Sequence, residues 1–529
     1  MVKDDITLDF NEQFRQAIDL MEHSTKSVFI TGRAGTGKST LLQYFSTLTQ
    51  KNVVILAPTG VAALNVKGQT IHSFFKFKPH VTPEDIRKHH YKNENENIYK
   101  KLDTIVIDEI SMVRADLLDC VDKFLRLNGP LATQPFGGIQ MIFIGDLYQL
   151  PPVVTGEEKE IFSSFYDSPY FYSAKVFQDF DFEFVELEKI YRQHDDIFIK
   201  LLNSIRNNTI DEDGLRLLNT RYRPDFRPPD GEFYIYLTTT NALAEQINQQ
   251  QLTRLKGRTY NFTGLAEGEF GDEYLPTAVD LKLKIGAQVM MLNNDPVGRW
   301  VNGSLGQITG IEPAGNGEAV IIVELNDGNV VEVTPYTWEI YRYFVAEDNL
   351  HSEVVGRFTQ YPLILAWAVT IHKSQGKTFD KVIINFGRGT FAHGQAYVAL
   401  SRCKSLEGII LLQKVTKKHI MMDSNVVRFL TRYQYKKAED SLSAEEKCTL
   451  IWEAIQDGSL LKITYLKPND EKSRRIILPR EVGQMEFQGK TYTGVRAFCL
   501  KRQEERNFRI DRILSIKKVR SDTLDSDLI

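Results

Sequence analysis

The chain has 529 residues, 42% of them hydrophobic and 25% charged, with a formal net charge of -4. That length exceeds the roughly 100–200 residues of one domain, so several compact units are expected, and the composition excludes a disordered or fibrous chain. With so small a net charge, a nucleic-acid partner would have to be met by a local basic groove and not by a globally cationic surface.

Cys120, Cys403, Cys448 and Cys499 are too sparse for a disulfide framework or a zinc site, and a reducing, cytoplasmic setting fits them. The opening MVKDDITLDF lacks the apolar core of a secretory leader. The longest apolar run, residues 362–371, is about ten residues short of a membrane span, so no membrane role is expected.

Asn11 is placed to cap a helix that carries Phe14, Ala17, Ile18 and Met21 at helical spacing. Short apolar runs at 28–31, 53–57, 104–107 and 141–144 alternate with helical or loop segments, the pattern of a parallel sheet with crossover helices. This first α/β domain is expected over 1–185, with a polar, uneven inserted arm at about 75–101. A second α/β domain, over 186–285 and 362–433, has strand candidates at 233–237, 363–368, 382–385 and 408–412. Between its first two strands, residues 286–361 combine Gly303, Gly306, Gly310 and Gly328 with Val/Ile-rich runs, which suggests a small antiparallel β module. Residues 434–446 have the charged composition of a linker, and a C-terminal unit is expected over 447–529. From Ser441 to Arg520, 17 basic residues face 11 acidic ones, whereas the rest of the chain is net acidic.

GRAGTGKS at 32–39 matches G-x-x-x-x-G-K-[ST], directly after a strand and before a helix. Gly32, Gly35 and Gly37 let backbone N–H groups turn inward around phosphates, Lys38 reaches the terminal phosphates, Ser39 can ligate magnesium, and Thr36 and Thr40 flank them. Asp108 and Glu109 end an apolar strand, the usual ligand address at the carboxyl edge of a parallel sheet. Asp108 would hold the magnesium and Glu109 would orient or deprotonate water. Gln149, in GDLYQLPP, is placed to sense a γ-phosphate. Arg192, in YRQ, and Arg402, in ALSR, are the candidates for cations reaching across a cleft to the transferring phosphoryl group, although each could also be an ordinary ion-pair partner.

In this order the blocks GRAGTGKST, APTGVAALNVKGQTIHSFF, TIVIDEISMV, FGGIQMIFIGDLYQLPPV, LEKIYRQHDDIFIKLLNSIR, AWAVTIHKSQGKTFDKVII and AYVALSRCKSLEGI closely resemble superfamily I helicases of the PIF type, relatives of RecD. The resemblance implies two RecA-like motor domains, ATP and Mg2+ as cofactors, and ATP-driven unwinding of duplex or forked DNA by 5′ to 3′ movement on a single strand. It assigns nucleotide roles to Gly35, Gly37, Lys38, Ser39, Asp108, Glu109, Gln149, Arg192, Gly376 and Arg402. Adenine recognition falls to a glutamine ahead of the phosphate loop, for which both Gln13 and Gln16 qualify. Strand contacts go to Pro58, Thr59, Gly60, His72, Asn241, Thr370 and His372, with the rings of Phe74 and Tyr148 available for stacking. Phe74 and Phe75 read equally well as core, and His372 could be a buried structural histidine.

The resemblance further implies that the β module is an SH3-like insertion. Residues 447–519 resemble a WYL domain, with Thr464-Tyr465-Leu466 in place of the eponymous triplet, Arg474 and Pro479 downstream, and Phe508, Arg509, Asp511 and Arg512 near the end. Such a tail would suit a nucleic acid or a small anionic ligand. A monomer is expected. The rival readings are a DNA-dependent ATPase switch with a ligand-sensing tail and no unwinding, and, further off, a small-molecule kinase.

Overall fold

The computed structural model describes residues 11–78, 80–89, 96–154, 156–193, 195–229, 231–314, 319–346, 349–386, 389–390, 392–468, 470–487 and 489–519. The chain divides into two compact units, one holding the residues up to Arg206 together with Ile210–Met421, the other Asn207–Thr209 and the chain from Met422 onward.

In the first unit, β1 (Val28–Gly32), β2 (Val53–Ala57), β3 (Gln69–Thr70), β4 (Thr104–Ile107), β5 (Gln140–Ile144) and β6 (Glu183–Leu187) form one sheet in the order β3-β2-β4-β5-β1-β6. Every pair is parallel. The strands are short continuous apolar runs because both faces are covered, and β1, β4 and β5 are buried at every position. The helix α1 (Glu12–His23) starts as expected: the Asn11 side chain accepts the Phe14 N–H at 2.9 Å, and Phe14, Ala17 and Met21 are buried. Because β6 belongs to this sheet, the first domain runs to Leu187, two residues past the expected boundary.

A second parallel sheet has the strand order 368–370, 235–238, 382–385, 409–411. The run 363–368, expected as one strand, is two. Leu363–Leu365 pairs antiparallel with Gln288–Met291, and Ala368–Thr370 pairs parallel with Ile235–Thr238. The change of sheet falls at Ala366, whose N–H goes to Gln288, while the Trp367 carbonyl takes the N–H of Tyr236.

The inserted module is larger than expected. A five-stranded antiparallel sheet runs 330–333, 319–325, 305–313, 288–291, 363–365, and the long hairpin Tyr336–Ala346 and Asn349–Gln360 pairs with Leu265–Gly268. Residues 260–283 therefore belong to the β-rich insertion and not to the second parallel-sheet domain. The hairpin packs on α3 (Gly60–Asn65): Ala57, Ala63, Phe270, Tyr274, Trp338, Ile340 and Phe358 form one apolar cluster.

The inserted arm is anchored at both ends, with residues 79 and 90–95 outside the described set. Ile86 and Tyr99 are buried. Phe74, at the end of α4 (Ile71–Phe75), is only 4% exposed, with ring centroids 4.9 Å from Phe75 and 5.4 Å from Tyr99. Tyr99 also meets Phe124 of α5 (Ala115–Asn128) at 4.7 Å and donates to the Phe74 carbonyl at 2.9 Å. Phe74 is thus core, and the expectation of a stacking ring is corrected: edge-to-face packing against Phe75, Tyr99 and Tyr343 buries the ring.

In the second unit, helices Ser424–Ser441 and Ala444–Asp457 precede a five-stranded antiparallel sheet in the order 504–509, 490–499, 472–487, 460–466, 513–519. The expected linker, 434–446, is therefore the end of one helix and the start of the next, joined by Ser443 in a capping box with Glu446. Lys, Glu and Ala are good helix formers, so a charged face passed for a linker while Val427, Leu430, Gln434 and Ala438 were buried behind it.

Replacing Phe74 by alanine is expected to lower unfolding stability by about 3–5 kcal/mol in chemical denaturation, the usual cost of removing a packed ring. An unaltered midpoint and slope would show that the ring is not core.

Candidate nucleotide site and strand-facing edge

The loops after β1, β2, β4 and β5 all leave from the carboxyl edge of the first sheet, the edge where parallel sheets hold ligands. After β1 the chain turns through Gly35 (φ +81°) and Gly37 (φ +87°), left-handed conformations that side chains rarely adopt, and enters α2 (Lys38–Leu48). Lys38 Nζ donates to the carbonyls of Gly32 at 2.8 Å and Arg33 at 3.1 Å, and Thr36 Oγ1 donates to Arg33 at 2.9 Å. Ser39 and Thr40 are exposed in the first turn of α2. Burial lowers the Lys38 ammonium from its ordinary range, against the opposing pull of Asp146, Glu109 and Asp108. Of the two glutamines, Gln13 is half-buried and Gln16 is exposed, both on the helix whose cap, Asn11, donates to the Tyr191 hydroxyl at 3.2 Å.

Asp108 and Glu109 follow β4. Burial raises both carboxyls, and the nearby Asp108 charge adds to the effect on Glu109, which is pushed up to about 7. Glu109 has φ +49° and ψ +41°, a strained backbone for a side chain of its size. Gln149 is buried; its Nε2 donates to Asp146 at 3.2 Å and its Oε1 accepts from Gln375 Nε2, of the second sheet's domain, at 3.3 Å.

Both arginines approach this site from the second sheet's domain. A side chain at Gly35 would place its Cβ 2.5 Å from Arg192 Cβ, so the two backbones meet only because Gly35 has none. Arg192 Nη2 donates to the Gly376 carbonyl at 3.2 Å, and Arg192 Nη1 is buried with no hydrogen-bond partner among the described residues. Gly376, at φ +75°, is exposed. Arg402 is 1% exposed and bonded within its own domain, to Val398 at 2.9 Å, to Ser401 Oγ at 2.9 Å and to Ser374 and Lys377 at 3.4 Å. Burial, then the neighbouring Arg192, pushes it down to about 9, while Tyr397, Glu109 and Asp146 pull the other way.

Four contributors, Asp146, Arg206, Tyr397 and Gln193, do not show when the motifs are read one residue at a time. Asp146, fully buried, accepts from Tyr148 N at 3.1 Å and lies 3.9 Å from Arg206 Nη2. The Arg206 guanidinium sits 3.8 Å from the centre of the Tyr148 ring, so Tyr148 is buried under a cation from the other domain and the expectation of a strand-stacking face there is corrected. The Tyr397 hydroxyl accepts the Ala34 N–H of the phosphate loop at 3.1 Å, and Gln193 Nε2 donates to Ser401 and Cys403. All of these stand inside the blocks quoted above. Their signal was a polar residue within an apolar run, which spacing alone could not pair.

The strand-facing candidates occupy the same carboxyl edges. Thr59 is exposed and caps α3, accepting Ala62 N at 3.3 Å; Pro58 is half-buried. Gly60 is buried, and a Cβ there would fall 2.3 Å from the Glu273 carbonyl, so its role in the structure is close packing under the β module. His72 and His372 are half-buried and lowered by that burial. Thr370 is buried and accepts Lys373 N at 3.2 Å, while Asn241 is exposed at the start of the helix Asn241–Arg254.

A phosphate loop on one parallel sheet, faced by arginines carried on a second within the same chain, defines a two-domain P-loop nucleotide-binding protein. Comparison with known proteins narrows the class. A family model described as PIF1-like helicase matches residues 6–214, and one described as WYL domain matches 446–518. The ATP-dependent DNA helicase PIF1 of Rattus norvegicus is 34% identical over 412 residues, covering 76% of this chain and 61% of that protein. The ATP-dependent DNA helicase Pif1 of Bdellovibrio bacteriovorus is 31% identical over 436 residues, covering 81% and 93%. The chain spans about 60% of the length of the mammalian relatives it matches. Bacteroides sp Pif1 solved with ADP-AlF4 is 39% identical, covers 80% of this chain and 97% of that one, and superposes with a TM-score of 0.74. The Bacteroides Pif1 bound to ssDNA, also 39% identical and covering 79% and 96%, gives 0.57. The chain belongs to the PIF1-like helicase family and carries a C-terminal WYL domain.

With Glu109 titrating at about 7, its ionised fraction grows about tenfold between about pH 6 and about pH 8. If that carboxylate is the base, kcat/KM for ATP rises by the same factor over the range; a flat profile would exclude it.

Proposed function

We propose that the chain hydrolyses ATP between its two parallel-sheet domains and uses the cycle to move 5′ to 3′ along single-stranded DNA, unwinding duplex ahead of it. The observation that carries this reading is Arg192, whose Cβ packs on Gly35 of the phosphate loop: one guanidinium nitrogen is tied to the Gly376 carbonyl, and the other is buried with no hydrogen-bond partner among the described residues. A buried N–H without an acceptor is costly, and a phosphate oxygen would relieve that cost.

In this account the N–H groups of residues 35–39 and Lys38 hold the triphosphate. Ser39 and Asp108 are the oxygen donors that would hold Mg2+, a hard cation content with one or two protein oxygens beside phosphate, and when bound it neutralises phosphate charge. Glu109 accepts the proton of the attacking water, Gln149 reports the γ-phosphate to Asp146, and Arg192 and Arg402 stabilise the charge on the transferring group. Arginines in that role are worth about 10³–10⁵ in rate, or roughly 4–7 kcal/mol of barrier. Gln13, half-buried where Gln16 is exposed, is the preferred candidate for adenine. Pro58, Thr59, His72, Asn241, Thr370 and His372 grip the strand by its backbone, so the pull of nucleotide on one domain is felt as a change of grip on the other.

Support for DNA as the track comes from the relatives: those from rat and Bdellovibrio are named ATP-dependent DNA helicases, and the Bacteroides protein has been solved on ssDNA. The basic excess of the WYL domain favours a second site for nucleic acid or a small anion. The test is strand displacement from duplexes carrying either a 5′ or a 3′ single-stranded tail. Unwinding of the 5′-tailed substrate only, lost in Lys38→Ala, is expected. Hydrolysis stimulated by DNA without displacement of either substrate would favour the ATPase switch instead.

A further inference from the structure

Lys377 follows Gly376 directly, so it sits one residue from the carbonyl that holds Arg192, and its own carbonyl is within 3.4 Å of Arg402 Nη1. Its side chain reaches the inserted module. Lys377 Nζ donates to Asn302 Oδ1 at 2.5 Å, and Asn302 Nδ2 donates to Asn65 Oδ1 at 3.3 Å. Asn65 is the last residue of α3, the helix capped by the strand-facing Thr59.

The loop that presents Asn302 is braced by its own side chains. Asp295 takes Arg299 through both guanidinium branches, at 2.7 and 3.0 Å, as well as the N–H groups of Val297 and Arg299. Trp300 Nε1 donates to Asn293 at 3.0 Å, and Asn302 N to Asn294 at 2.8 Å. Gly303, at φ +101°, packs on the Lys377 stem, where an added Cβ would lie 3.4 Å from Lys377 Cβ. The loop is therefore a stiff spacer whose two ends are a lysine of the second domain and a helix of the first.

We propose that Lys377 is a positioning residue that ties the Gly376 turn, through Asn302 of the inserted module, to the strand-gripping helix α3, so that an engaged strand sets the reach of Arg192. This rests on the strand-stimulated ATPase reading above. A lysine with a neutral partner is an unusual choice for a merely structural contact. Burial pushes its ammonium down to about 8, and Asn302 is the acceptor that compensates it.

The experiment measures ATP turnover without DNA and at saturating oligo(dT), together with oligo(dT) affinity. It compares the full chain with Asn302→Ala, Asn65→Ala, their double variant, Asn302→Asp and Lys377→Met. Asn302→Ala and Asn65→Ala should keep DNA-free turnover and oligo(dT) affinity within about twofold, yet lose at least about fivefold of the stimulated kcat, with the double variant no worse than either. Asn302→Asp keeps an acceptor for Lys377 but has no N–H for Asn65, so it should lose stimulation like Asn65→Ala while Lys377→Met fails at the first link. Wild-type stimulation in Asn302→Ala and Asn65→Ala overturns the relay alone. A parent chain whose turnover ignores oligo(dT) overturns both the relay and the reading beneath it.

Discussion

The close approach of Arg192 to Gly35 is the constraint on which the rest of the structure turns. Two parallel sheets in one chain can face each other in many ways, but here a phosphate-loop residue without a side chain meets an arginine of the other domain at van der Waals distance, and a methyl group would prevent it. The same approach brings Tyr397 onto Ala34, Gln375 onto Gln149, and Arg206 onto Tyr148. Each of these contacts joins a carboxyl-edge loop of the first sheet to an element of the second domain. The interface is thus built from the nucleotide site outward.

Its electrostatics are unfavourable by construction. Asp108 and Glu109 are adjacent carboxyls raised by burial, and Arg192 and Arg402 are adjacent guanidinium groups lowered by it. Lys38 is satisfied by carbonyls of its own loop and Arg402 by carbonyls of its own domain. A ligand that offers phosphate oxygens would compete for the same donors. The left-handed backbone of Glu109 adds strain at the same place.

Much of this was legible in the residues because the physics is local. Continuous apolar runs located β1, β2, β4 and β5 to within a residue, and the phosphate loop announced itself by its glycines and its place between strand and helix. What was not legible depends on partners far away in sequence. Phe74 reads the same whether it faces solvent or Tyr99. The run 363–368 changes sheets at Ala366, which no periodicity shows. The charged stretch 434–446 is helix because an apolar face, spaced by three and four, lies behind the charges. Arg206 looks like any helix-terminal arginine until Tyr148 and Asp146 are placed against it.

The central claim is that Arg192 meets the transferring phosphoryl group and not merely the Gly376 carbonyl. Single-turnover hydrolysis by Arg192→Ala, set beside equilibrium binding of a non-hydrolysable ATP analogue, tests it most directly. The account predicts a chemical step slowed by about 10³-fold or more with analogue affinity changed by less than about tenfold. Hydrolysis at the parent rate, or a loss confined to binding, would contradict it.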